Sequence, residues 1–176
     1  MARGTISAVQ PGAGNPLALK AIARHTEAIA TVRAFAARSE ALRVVLLLDL
    51  GDEQEPAMLD AGTGGALVLT DEGEAHEVPA AMPVPAPARA LPEIRPAPSS
   101  ALKADPLTGE LAAPIGAIAN LGGAVLGLAR AFGGRSVASA EFATQDTDLP
   151  MTIVAREGEP LLLAVGDGRF ELPLEP

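Results

Sequence analysis

The sequence contains itself twice, and a chain built from a repeat is organised by how its copies pack on each other. Residues 56–79 laid over 150–173 at a constant offset of 94 need no gap. Seven pairs along this stretch are identical: Pro56 and Pro150, Ala61 and Ala155, Gly64 and Gly158, Leu67 and Leu161, Leu69 and Leu163, Glu77 and Glu171, Pro79 and Pro173. Upstream, RAFAARS (33–39) faces RAFGGRS (130–136), and AIA at 21–23 faces AIA at 117–119. The offset drifts from 96 to 97 and then to 94, so one residue is gained within the helix and three are lost after it. Charge follows the same division. Residues 1–50 hold six bases and three acids and 51–78 eight acids and no base; 111–135 hold two Arg and no acid, and 136–176 eight acids and two Arg.

Local patterns predict the elements of each unit. Asn15-Pro16 is a helix start, because Asn accepts a backbone N–H at the cap and Pro carries the φ of the first turn. Leu19, Ile22, Ile29, Val32 and Phe35 then recur at helical spacing, which predicts one amphipathic helix over Pro16–Arg38. RVVLLLDL (43–50) is a continuous apolar run too short for a helix and reads as a buried strand. Short strands follow at 56–61, 65–71 and 75–79, with GTGG and DEGE as turns between them. In the second unit, Ile115, Ile118, Val125, Leu128 and Phe132 predict a helix over 114–132, ended by Gly133-Gly134. SVASAEFAT (136–144) alternates with period two, setting Ala138, Ala140 and Phe142 on one face. Strands at 151–156, 161–165 and 169–173 complete the unit, the last two joined by a Gly166-Asp167-Gly168 hairpin turn.

The expected fold class is therefore α+β: two repeated helix-plus-antiparallel-meander units in pseudo-two-fold relation, joined by a Pro-rich linker. The divisions are a lead-in at 1–15, a first unit at 16–79, a linker at 80–110 and a second unit at 111–176. The linker holds six Pro in 80–100, too many for a helix or an interior strand, and is expected to run extended as a spacer. The units form either one pseudo-symmetric domain or two packed lobes.

Composition narrows the partners. Aromatics are 2% of the chain, with no Trp or Tyr, so the core rests on Ala, Leu, Val, Ile and four Phe. Few rings means few stacking platforms for bases, and a net charge of −9 repels a phosphate backbone, so no nucleic acid is expected. The absence of Cys fits a reducing compartment, and the first 15 residues lack the apolar core of a secretory signal, so the expected location is cytoplasmic. Residues 111–129 carry no charge over 19 positions, near the length that spans a bilayer. Pro114, Asn120 and four glycines break that run, which reads as a packed helix, and no membrane is expected.

Glycine costs about 1 kcal/mol relative to Ala inside a helix, so Gly116, Gly122, Gly123 and Gly127 together require a close approach by another backbone. That backbone belongs to the chain's own sheet or to a second subunit. The subunit reading makes Leu121, Gly122, Gly123, Leu126 and Gly127 the interface of a homodimer. Asp49, Asp52, Glu53 and Glu55 supply oxygen ligands of the kind a divalent cation takes, without calcium-loop spacing, and read more simply as a solvated turn. His25 and His76, the chain's two imidazoles, match no metal or catalytic motif. No nucleophile elbow or phosphate loop is present, no catalytic constellation forms, and no cofactor is expected. Pro83, Pro85 and Pro87 form P-x-P-x-P without the P-x-x-P register, which leaves the segment a spacer.

AIANLGGAVLGLARAFGG, SVASAEFAT, MTIVAR and PLLLAVGDGRFEL together resemble the second half of the roadblock family of dynein-light-chain-like proteins, where a small-residue-rich helix ending in Gly precedes three antiparallel strands. GGALVLTDEGEAHEV resembles the family's opening hairpin. RVVLLLDL and the Pro-rich linker are additions to that pattern. The resemblance implies a non-enzymatic homodimer that regulates a small GTPase or scaffolds a complex, and it carries over no catalytic residue. The expected function is thus a protein-interaction module that pairs with itself. The alternative is a small-molecule binder with an apolar cleft between the units.

Overall fold

The computed structural model describes residues 16–49, 51, 55–62, 66–80, 82–88, 115–133, 135–144 and 149–172. The first half of the chain supplies helices α1 (Pro16–Arg24) and α2 (Thr26–Ser39) and strands β1 (Arg43–Leu48), β2 (Ala57–Ala61), β3 (Leu67–Asp71) and β4 (Glu74–Val78). The second supplies α3 (Ile115–Arg130), β5 (Val137–Phe142), β6 (Met151–Arg156), β7 (Leu161–Val165) and β8 (Gly168–Leu172). The protein is α+β, as the periodicities imply. Its strands form a single eight-stranded sheet in the order β4-β3-β2-β1-β5-β6-β7-β8, and every pairing is antiparallel. This sheet is larger than a roadblock fold.

Register is the same in the two halves. Val44 pairs with Ala61, and 94 residues on from each, Ala138 pairs with Ala155. Met58 with Thr70 corresponds likewise to Thr152 with Ala164, and Leu69 with His76 to Leu163 with Phe170. In the ladder between the halves, Val45 faces Ser139, while Arg43 faces Glu141 and Leu47 faces Val137 on either side.

One face of the sheet carries the core. Val44, Leu46, Leu59, Leu67, Leu69, Ile153 and Leu163 are buried against Ile29, Val32, Phe35, Leu121, Val125 and Leu128 of the helices in one continuous cluster. α1 packs on β3 and β4, α2 on β1 and β2, and α3 on β5 and β6. Across the seam, Leu46 meets Ala138 and Val44 meets Ala140, so a large side chain faces a small one where α2 and α3 come together above. β4 and β8 are the outermost strands. Each bears an outward acid, Glu77 or Glu171, and is followed in sequence by Pro79 or Pro173. No helix among the described residues is long and apolar enough to cross a membrane.

Three expectations change. The first helix is broken at His25, which has φ −114° and ψ 24°. The Thr26 hydroxyl donates to the Ile22 and Ala23 carbonyls at 3.0 and 3.2 Å, competing with the helix ladder at that turn. β1 is open on one side, not buried on both: Leu47 is 37% exposed, because the helices cover only one face. The start of the linker is held to the first half of the chain. Arg33 on α2 donates to the carbonyls of Met82 and Pro79 at 2.8 and 2.5 Å, Met82 and Val84 pack on the core, and the Ala88 amide donates to the Glu27 carboxylate at 3.1 Å. Burial pushes the Arg33 guanidinium below its ordinary value. The lead-in at 1–15 and the linker from residue 89 to 110 lie outside the described residues.

Losing a charged donor that satisfies two carbonyls costs about 1–3 kcal/mol. Arg33→Ala is expected to lower the unfolding free energy by that amount in a urea titration and to speed amide exchange at Met82 and Ala88. Unchanged exchange there would show that something other than Arg33 holds the segment.

Candidate functional site

Three places bring chemically distinctive residues together: the acidic turn after β1, the α1–α2 kink, and the sheet face that no described helix covers. At the turn, Asp49 Oδ1 accepts from the Gly51 amide at 2.9 Å and Oδ2 pairs with Arg135 at 2.9 Å. Asp49 is thereby tied to the second half of the chain, and Asp52 and Glu53 lie outside the described residues. Glu55 approaches Gly73 in the β3–β4 turn, its Oε2 3.6 Å from where a Cβ would stand. Among the described residues no three His, Cys, Asp or Glu gather in a way that could hold a metal ion.

The kink assembles a group that sequence spacing does not reveal. Asp71, 5% exposed at the end of β3, lies 3.0 Å from Arg24 Nη1, and its other oxygen lies 3.5 Å from His25 Nε2. The imidazole nitrogen closes no hydrogen bond at that distance. His76 projects to the same face from β4, opposite Leu69, and is buried. The kink thus brings His25 to the Asp71 carboxylate, and His76 lines the same cleft as Asp71. The neighbouring cleft, lined by Lys20, Arg24, Asp71, Glu72, Glu74 and His76, is about 70 Å³. At about 30 Å³ per water it has room for a pair of waters, far below the roughly 300 Å³ of a small-ligand site. No hydroxyl or thiol nucleophile lines it. The group acts as an electrostatic tie between the kink and the hairpin.

One of the five α3 residues expected at an interface, Gly123, is exposed. Leu121 is 1% exposed and Leu126 5%. Gly122 faces β7: a Cβ there would stand 2.5 Å from Leu161 Cδ1. What lies against this glycine is the Leu161 side chain of the chain's own sheet, not another backbone. Gly123 is exposed, with nothing within 4 Å of a Cβ, and Gly127 is half-buried.

The uncovered sheet face is apolar across its middle. Along the row through the central ladder stand Glu77, Val68, Asp60, Val45, Ser139, Val154, Leu162 and Glu171. One flanking row holds Ala75, Thr70, Met58, Leu47, Val137 and Arg156, and the other Arg43, Glu141, Thr152, Ala164 and Arg169. Val68 is 40% exposed and Leu162 45%. Among the polar residues on this face, Asp60 beside Val45 is paired within the chain: its Oδ1 accepts from Arg43 Nε at 2.9 Å. That hydrogen bond holds the Asp60 carboxyl below the ordinary carboxylate range; partial burial opposes it and the Arg43 charge adds to it. No family model, no curated protein and no solved structure matches this chain. The site is thus read from its own geometry.

Two measurements check this geometry. Gly122→Leu is expected to destabilise by about 1–3 kcal/mol through overpacking on Leu161, whereas Gly123→Ala, entering open space, is expected to stabilise by up to about 1 kcal/mol; equal effects in thermal melts would refute the placement. A depressed carboxylate contributes stability above its unfolded value near 3.9, and this is lost as pH falls through the folded value. Asp60→Asn is therefore expected to melt below the parent at pH 7, by less than about 1 kcal/mol because the pair is solvent-screened. The two curves should converge near pH 2.

Proposed function

We propose that this protein is a non-enzymatic interaction or scaffold module that works as a homodimer in the cytoplasm. The observation that carries the reading is the displayed apolar surface: Val45, Leu47, Met58, Val68, Val154 and Leu162 stand on one sheet face with no described helix over them. Contiguous exposed apolar area on a folded chain marks an interaction site. We further read the chain as two copies of one unit related by a pseudo-two-fold axis through Val45 and Ser139. The common 94-residue shift of every strand register supports this, as does its agreement with the offset of the sequence repeat. On this reading the roadblock resemblance concerns the unit and supplies the partner class, a small GTPase. Binding of small GTPases from the host cell in one nucleotide state and not the other tests that class.

The small-molecule alternative has less support. The junction of the halves is filled by Val44, Leu46, Ala138 and Ala140, each at most 1% exposed, and the cleft at the kink is small and charged. Light scattering on the full chain is expected to give twice the 17.8 kDa chain mass at micromolar concentration. A mass of one chain at hundreds of micromolar would reject the homodimer.

A further inference from the structure

We infer that the break between α1 and α2 is a proton-operated clasp: acidification puts a hydrogen on His25 Nε2, which closes onto Asp71 and fixes α1 to the β3–β4 hairpin. This device is independent of the homodimer reading. Its ground is a buried mismatch. The His25 and Asp71 side chains are 6% and 4% exposed, and Nε2 stands 3.5 Å from Oδ1 without closing a hydrogen bond. A neutral imidazole has one proton for two nitrogens, whereas an imidazolium carries a donor on each. A charge-assisted N–H···O bond is about 2.7–2.9 Å long, so protonation draws the two side chains together by about 0.7 Å.

The fold makes α1 dependent on such a tie. Its nine residues bury only Ala18, Ala21 and Ile22, and a helix that short does not hold its form by itself. Its last residue, Arg24, reaches Asp71 Oδ2 at 3.0 Å and Glu72 at 3.3 Å. That guanidinium side chain is 40% exposed, and solvent weakens the pair. The His25 contact lies in the interior, where a hydrogen bond is electrostatically stronger. His25 is also the residue at which the helix breaks, so a bond made there acts directly on how α1 is set against α2.

Charge decides between two opposing effects. Burial disfavours an imidazolium, and a nearby carboxylate favours it. Around the kink, α1 presents Lys20 and Arg24, β3 and its turn present Asp71 and Glu72, and β4 presents Glu74 and His76. Three carboxylates against two cations leave the cleft one negative charge in excess, which a proton on His25 neutralises. On α2, Glu27 adds a carboxylate in the first turn, where it accepts from the Ala88 amide. Proton uptake and clasp closure therefore favour each other, so acid tightens α1 and rising pH releases it.

Histidine is the side chain that ordinarily changes charge between about pH 5 and 8, and the chain has two, so two variants dissect the response. The experiment is amide exchange on the full-length protein at about pH 8 and about pH 5.5, with the intrinsic pH dependence of exchange removed. Protection of residues 22–24 is expected to rise about tenfold on acidification in the parent, the scale of a hydrogen bond to a charged group. It is expected to stay level in His25→Gln and to rise in His76→Gln as in the parent. A level parent, an equal rise in His25→Gln, a response lost in His76→Gln alone, or protection that falls in acid overturns the clasp. Should His25→Gln misfold, the imidazole nitrogen resonances of the parent decide. Two protonated nitrogens on His25 at the lower pH, with the Nε2 proton slow to exchange, support the clasp; a ring that stays neutral overturns it.

Discussion

The ladder between β1 and β5 makes one sheet out of two halves, and the rest of the molecule depends on it. Without it each half would be a four-stranded meander with helices on one side and a hydrophobic strand at its rim. Val44 and Leu46 are fully buried because α2 and α3 close over this seam from either side. The small residues opposite them, Ala138 and Ala140, let the two helices settle above the join without a ridge between them. The Asp49–Arg135 pair crosses the same boundary and ties the loop after β1 to the turn before β5.

Among the described residues, the helices stand on one side of the eight-stranded sheet and none covers its other face. An antiparallel sheet tolerates this when its outward positions are polar, and here the outer strands obey while the inner ones mix polar Arg43, Ser139 and Glu141 with apolar residues. Glu77 and Glu171 sit at the rim, whereas Val45, Leu47 and Val137 sit at the centre.

Much of this was legible in the sequence. The boundaries of β6 and β7 follow directly from turn residues at Glu157-Gly158 and Gly166-Asp167 flanking short apolar runs, and period two grouped Ala138, Ala140 and Phe142 on one face, which is the buried one. RVVLLLDL misled because an unbroken apolar run looks the same whether its second face meets a helix layer or stands half-exposed. The break at His25 was hidden because the apolar period continues through it: Ile22 and Ile29 keep their spacing, and only the hydroxyl of Thr26 gives the turn away. The meeting of His25 and Asp71 depends on a kink and a hairpin that are far apart in sequence, so no spacing rule reaches it. Gly122 and Gly123 are neighbours of identical type, yet one lies against Leu161 and the other against open space; only the helix phase relative to the sheet separates them.

The rims of the sheet bear on the protein's life at high concentration. An unprotected outer strand is a template on which other chains can add by backbone hydrogen bonding, the first step toward fibrous aggregates. β4 and β8 carry exposed carboxylates at Glu77 and Glu171, and the sequence runs into proline directly after Val78 and Leu172. Proline lacks the amide that an added strand would need next, and the carboxylates repel a like-charged neighbour. The chain thereby caps lateral growth at eight strands, a safeguard against runaway polymerisation in a protein nearly half of whose residues are apolar.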